Sequence, residues 1–216
     1  MKNLSYLIFV LFISCKNENN KDWEKIKVDK RISKNPVYAQ MDKQKESYSF
    51  GITDKPRFSG FQDTTLRKTS QVTTYHISDT DSDIYTINQY ICRASYLRNI
   101  KEIKIWIGYG SPFGGSGLTI ITENNQFNAK PFYVTDVHNS RQKPPKFQIL
   151  KQELILDKSK YQIGDSLYGK IYYHIIENRS YPDDDEIIKI EHVAQGYFRA
   201  KVNKGDPNAE AVRLRD

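Results

Sequence analysis

From Tyr48 onward apolar and polar residues alternate with a period of two, the spacing that gives a strand one buried and one wet face. Gln71 to Ile77 is rich in β-branched and aromatic residues, and Ile103, Ile105 and Ile107 share a face with Lys104 and Trp106 opposite. Leu118 to Thr122 runs into the turn sequence Glu123-Asn124-Asn125 and returns through Phe127 to Val134, which predicts a hairpin. Further on, Leu167, Gly169, Ile171, Tyr173 and Ile175 form an inner row, with Tyr168, Lys170, Tyr172, His174 and Ile176 outside. Two more strands are expected at Glu186 to His192 and at Gly196 to Val202, the latter with Phe198, Ala200 and Val202 inward. In Thr86 to Arg98, by contrast, Ile87, Tyr90, Ile91, Ala94 and Leu97 recur at helical spacing and predict a short helix over about 87–98. Many short strands that do not alternate with helices predict an all-β domain, an antiparallel β-sandwich with that one helix.

The chain before Tyr48 reads differently. Residues 16–47 contain no glycine and carry nine Lys or Arg against six Asp or Glu, the composition of a charged tether. Within it, Asp22 to Val28 has the makings of a helical turn or an edge strand, with Trp23 available to dock on the domain. Ahead of the tether, Met1-Lys2-Asn3 precedes an apolar run from Leu4 to Ile13 that is too short for a spanning helix and fits a secretory leader. The sequence Phe12-Ile13-Ser14-Cys15 that ends it resembles the lipobox of bacterial lipoproteins, with Phe12 where leucine is usual. The resemblance implies acylation of Cys15 (palmitate among the chains), removal of residues 1–14, and a membrane anchor in the cell envelope, with the outer membrane the expected location. The division that follows is a leader at 1–14, the lipidated cysteine and tether at 15–47, a sandwich at 48–203 and a frayed tail at 204–216. The phrase Tyr161-Gln162-Ile163-Gly164-Asp165, followed by a strand with Gly169, resembles strand openings of immunoglobulin-like and arrestin-like sandwich domains. It implies architecture and no activity.

Charge and cysteine content add constraints. The formal charge of +7 falls by one, to +6, when Lys2 leaves with the leader. Acidic residues interleave with the basic ones, so a solvated surface is expected and nucleic acid is not an expected partner. The chain has two cysteines, Cys15 and Cys92. With the first acylated no internal disulfide forms, and Cys92, in an apolar stretch, is expected to be buried.

Local motifs exclude more chemistry than they suggest. The stretch from Gly108 to Gly117 lacks the glycine spacing of a dinucleotide cradle or a nucleophile elbow and reads as a mobile loop between strands. Any role expected of it is ligand binding, through Tyr109, Ser111, Phe113 and Ser116. Asp79, Asp81 and Asp83 alternate as in the start of a calcium loop, but Ile84 and Tyr90 stand where an EF-hand needs glycine and glutamate, which leaves a looser calcium site as the metal candidate. The run Asp183 to Glu186 reads as a solvated turn. His76, His138, His174 and His192 have no zinc-ligand spacing, and apart from that calcium candidate no catalytic set, metal or organic cofactor is legible. The expectation is therefore a lipid-anchored binding module with a protein or small-molecule partner, the alternative being an exported hydrolase whose site is assembled from distant residues.

Overall fold

The computed structural model describes residues 22–44, 68–79, 84–89, 91–97, 102–111, 114–135, 144–180 and 187–205. The first of these segments, within the stretch read as a tether, contributes two short strands, β1 (Glu24–Lys25) and β2 (Lys27–Val28), a 3-10 turn at Ile32–Lys34 and helix α1 (Pro36–Lys43). The body consists of β3 (Ser70–Ser78), β4 (Ile84–Gln89), β5 (Ile91–Tyr96), β6 (Ile103–Ser111), β7 (Gly114–Glu123), β8 (Gln126–Thr135), β9 (Lys146–Leu156), β10 (Ser166–Ser180) and β11 (Ile187–Lys204). The all-β class is as expected. Among the described residues the helix expected at 87–98 is not formed: 87–89 lie in β4 and 91–96 in β5, paired to β3 and β6 respectively. Ile87 pairs across to Thr74 and Ile91 to Gly108, cross-strand partners that suit β-branched residues and that a helix cannot offer.

Nor is the sheet clearly an antiparallel sandwich. The strands form one mixed, nearly closed, barrel-like sheet in the order β1-β8-β7-β6-β5-β11-β10-β9-β2, with β3 and β4 added beside β11. The pairs β5·β11 and β2·β9 are parallel. β11 is a single strand where two were expected. It pairs with β10 from Ile187 to Lys201, while its other edge takes β3 over Ile190–Phe198 and β5 over Val202–Lys204. The β7–β8 hairpin is as expected, and Asn124 and Asn125 carry positive φ (48° and 64°), the pattern of a type I′ turn.

Closure on the opposite side depends on residues 22–28. Glu24 and Lys25 pair with β8, Lys27 and Val28 pair with β9, and Ile26 between them enters the core at 7% exposure. Gln152 on β9 accepts from the Ala129 amide of β8 (3.2 Å) and donates to the Asp22 carbonyl (2.7 Å), so one amide side chain ties three segments together. The strap thus satisfies two sheet edges that would otherwise expose unpaired backbone groups.

The expected inner rows are found. Leu167, Ile171, Tyr173 and Ile175 are buried, as are Ile103, Ile105 and Ile107, and they join Leu118, Ile120, Phe127, Leu154 and Phe198 in one apolar cluster. Cys92 is buried and free, its thiol pushed well above the usual range by burial. At the β9–β10 connection Asp157 accepts from the Tyr161 hydroxyl (2.7 Å) and the Tyr168 amide (2.9 Å), and Asp165 accepts from the Gln162 amide (3.1 Å), which explains the Tyr161-to-Asp165 phrase as a turn staple. Outside the sheet, α1 lays Tyr38 edge-on against Tyr168 and Tyr197, with its hydroxyl donating toward the carbonyls of Gly169 and Phe198.

If the strap closes the sheet, Ile26→Ala removes a core side chain and loosens both edges, at about 2–4 kcal/mol. Thermal unfolding followed by circular dichroism is expected to show a midpoint lowered by roughly 5–15 °C. An unchanged midpoint would show that the strap is an ornament.

Candidate functional site

Three inner rows change character toward the same end of the sheet. On β10 the row Leu167, Gly169, Ile171, Tyr173, Ile175 continues to Glu177, which is 3% exposed. On β11 the row Val202, Ala200, Phe198, Ala194 continues to His192, 4% exposed. On β3 the row Ser70, Val72, Thr74 continues to the half-buried His76. Register then assembles them, since His192 lies opposite His76 on β3 and opposite Ile175 on β10, one inward position from Glu177.

The resulting chain of contacts is short and linear. His192 Nε2 lies 2.6 Å from Glu177 Oε2, and His192 Nδ1 lies 2.8 Å from His76 Nδ1, the two rings nearly perpendicular with centroids 4.8 Å apart. Arg179, two residues beyond Glu177, grips the same carboxylate through Nε and through Nη2 at 3.3 Å. Burial pushes the Glu177 carboxyl up, yet the hydrogen bonds from His192 and Arg179 outweigh it and hold the group below the usual carboxylate value. An ionised carboxylate only accepts, so His192 carries a proton on Nε2 and turns Nδ1 to His76. Burial, reinforced by His192 and Arg179 against the opposing charge of Glu177, lowers His76 to about 4 and keeps its ring neutral at neutral pH. Deeper in the same row, the Tyr173 hydroxyl is buried and has no hydrogen-bond partner among the described residues, and burial with the nearby Glu177 charge raises its pKa.

This arrangement offers a fixed tautomer, an oriented imidazole and a neutral second imidazole, the parts of an acid–base relay or of a nitrogen donor pair. Among the described residues no group of three or more His, Cys, Asp or Glu is able to hold a metal ion.

The site residues expected from sequence fall elsewhere. Gly108 to Ser111 and Gly114 to Gly117 are not a mobile loop but the ends of β6 and β7, paired through Gly110↔Gly115 and Ser111↔Gly114. Close packing explains glycine there, since a Cβ on Gly108 would stand 2.5 Å from the Ser116 carbonyl oxygen and 2.9 Å from the Phe132 ring. That ring stacks on Trp106, which Arg93 covers from 5.7 Å. Tyr109 lies opposite Ser116, which is buried with its Oγ unpartnered among the described residues. Ser111 is the last residue of β6, and Phe113 lies outside the described residues. Asp79 is exposed and binds the Lys189 backbone on both sides, accepting at 3.1 Å and donating at 3.2 Å. Asp81, Asp83, His138, Asp183 to Glu186 and Cys15 lie outside the described residues. On the outer face of β10, a shallow depression of about 210 Å³ is lined by Lys151, Glu153, Lys170, Tyr172 and Gln195. Its charges are largely spent on neighbours: Lys27 on Glu153 at 2.6 Å, Lys151 over Tyr172 and Lys170 over Tyr197. His174 on that face lies 2.5 Å from Glu191.

Sequence reasoning missed the Glu177–His192–His76 set because its members come from three strands, the two histidines being 116 residues apart. The available signal was a titratable residue at an inward position of an otherwise apolar row. Comparison with protein-family models, with curated proteins and with solved structures finds no match.

Removing one member of a buried charged set strands the others. Glu177→Ala is therefore expected to lower unfolding stability by about 3–5 kcal/mol, whereas Lys170→Ala on the wet face changes it by less than about 0.5 kcal/mol. Urea denaturation of the two variants checks this, and equal midpoints would refute the buried network.

Proposed function

We propose that the mature protein is a lipid-anchored envelope lipoprotein whose β-domain works as a binding module. The observation that carries the anchor is the sequence Phe12-Ile13-Ser14-Cys15 at the end of a short apolar leader. Two or more acyl chains on Cys15 hold a protein on a membrane stably, at about 0.8 kcal/mol per buried methylene. Among the described residues no helix is long and apolar enough to cross a membrane. For the domain, the support is architectural. The halves β4-β3-β11-β10-β9 and β5-β6-β7-β8 share one core as the layers of a sandwich do, and recognition is assigned to the end where β3, β6, β8 and β10 finish. That end carries the buried Glu177 and His192, and connecting segments at such ends are where binding residues collect on a rigid scaffold.

A second reading, an exported hydrolase, is favoured by one specific observation: an oriented carboxylate–imidazole pair with a neutral imidazole beyond it. Turnover on envelope glycans or peptides, abolished in His76→Ala with the fold intact, would move the assignment to this reading.

The anchor is tested by mass spectrometry of the protein purified from membranes. The expected mature chain begins at an acylated Cys15, and Cys15→Ala yields unprocessed, unacylated precursor. Acylation that persists in the variant overturns the anchor. Crosslinking in intact cells tests the module, with a stoichiometric protein or small-molecule partner as the expected result.

A further inference from the structure

We propose that His76 and His192 form a binding site for a borderline divalent transition metal, of the copper, nickel or zinc class, through their two Nδ1 atoms. The inference goes beyond the binding-module reading and does not depend on it.

Three observations carry it. First, the donors converge: a directly opposed cross-strand pair places the Nδ1 atoms 2.8 Å apart with the rings at 88°. Nitrogens about 2.0–2.1 Å from a common metal stand about 2.9 Å apart at a right angle and about 3.3 Å apart at the tetrahedral angle. The pair is thus at or within about half an ångström of either geometry. Second, the far nitrogen of His192 is held 2.6 Å from the Glu177 carboxylate, which Arg179 fixes in turn. A carboxylate on the non-ligating N–H is the arrangement that orients ligating histidines, and here it turns the Nδ1 lone pair toward His76 Nδ1. Third, the pair spans burial and access, His192 being 4% exposed and His76 half-buried.

Without metal, the two Nδ1 atoms share one N–H···N hydrogen bond. Metal binding replaces it: a His76 proton, where it resides on Nδ1, moves to Nε2, and no group is oxidised or reduced. Two imidazoles leave the remaining coordination positions to water, which suits exchange with an incoming ligand better than a closed structural site. Local spacing disfavoured zinc, but spacing in the sequence does not register a pair made by strand pairing.

The test uses the full-length, untagged protein in detergent, stripped of metal and titrated with copper(II) or zinc chloride alone by calorimetry. Saturable binding of one equivalent is expected, tighter for copper(II) than for zinc. His76→Ala, at the half-buried position and therefore the variant that keeps the fold, is expected to weaken binding at least tenfold with an unchanged circular dichroism spectrum. Glu177→Gln weakens it by about 10–100-fold as a positioning residue. Electron paramagnetic resonance of the copper form is expected to show two imidazole nitrogens in the wild type and fewer in His76→Ala. Absence of saturable binding in the wild type, or a Kd unaltered in His76→Ala, overturns the proposal.

Discussion

The register of β11 against its neighbours is the constraint on which both fold and site depend. This one strand is paired along almost its whole length to β10 and, on the other edge, first to β3 and then to β5. Side chains alternate with a strict period of two, so a slip of one residue would turn Phe198 and Val202 to solvent and Lys201 into the core. The penalty for that exchange pins the register, and a pinned register puts His192 inward, opposite His76. Gly196 permits the close approach of β3 that this requires: its φ is +148°, and a Cβ there would stand 2.0 Å from the Gln71 carbonyl oxygen. The chemistry at one end of the strand is positioned by hydrophobic burial at the other.

Closure is a second, separable problem. A curved sheet of this kind ends in two edges, and here β8 and β9 share no backbone ladder among the described residues, only the Gln152 side chain reaching the Ala129 amide. The strap through Glu24 to Val28 pairs with one edge and then the other, and Ile26 contributes the apolar contact that makes a two-plus-two-residue pairing worthwhile. The charged composition of residues 16–47 is compatible with this role. Strap side chains other than Ile26 and Trp23 stay exposed, so basic residues cost little there. Lys27 even finds Glu153 on β9, a pair that holds the Glu153 carboxyl below its usual range through that hydrogen bond.

What was legible in the sequence follows from which interactions are local. The inner row of β10, the isoleucine face of β6 and the Asn124-Asn125 turn are each decided within a few residues, and each could be read. Over β4 and β5 the apolar spacing imitates a helical repeat, and strand partners from β3 and β6, distant in sequence, decide its state. The glycines around Gly108 were taken for mobility when they mark tight packing under Phe132. Parallel pairing of β2 and of β5 is long-range and leaves no local trace; Asp22 to Val28 was legible as a helical turn or an edge strand, but its bridging of β8 and β9 was not. The same holds for the site: Glu177, His192 and His76 were each visible as residues, but their meeting is a property of three registers at once.

Stability does not account for that meeting. A buried ion pair gives little net stabilisation, because desolvation offsets the Coulombic gain, and well-packed apolar residues commonly serve as well or better. Every other inward position of β10 from Leu167 to Ile175 is apolar, aromatic or glycine, so extending the row with another isoleucine at 177 would have suited the core. Instead the row ends in a carboxylate that must be neutralised by Arg179 from its own strand and by His192 from the next, and His192 in turn needs His76. Each residue is satisfied by the one after it, and the sequence of dependencies ends at the half-buried His76. The chain of contacts thus ends in a neutral imidazole facing its neighbour's lone pair, and that juxtaposition is the one on which the proposed metal site rests.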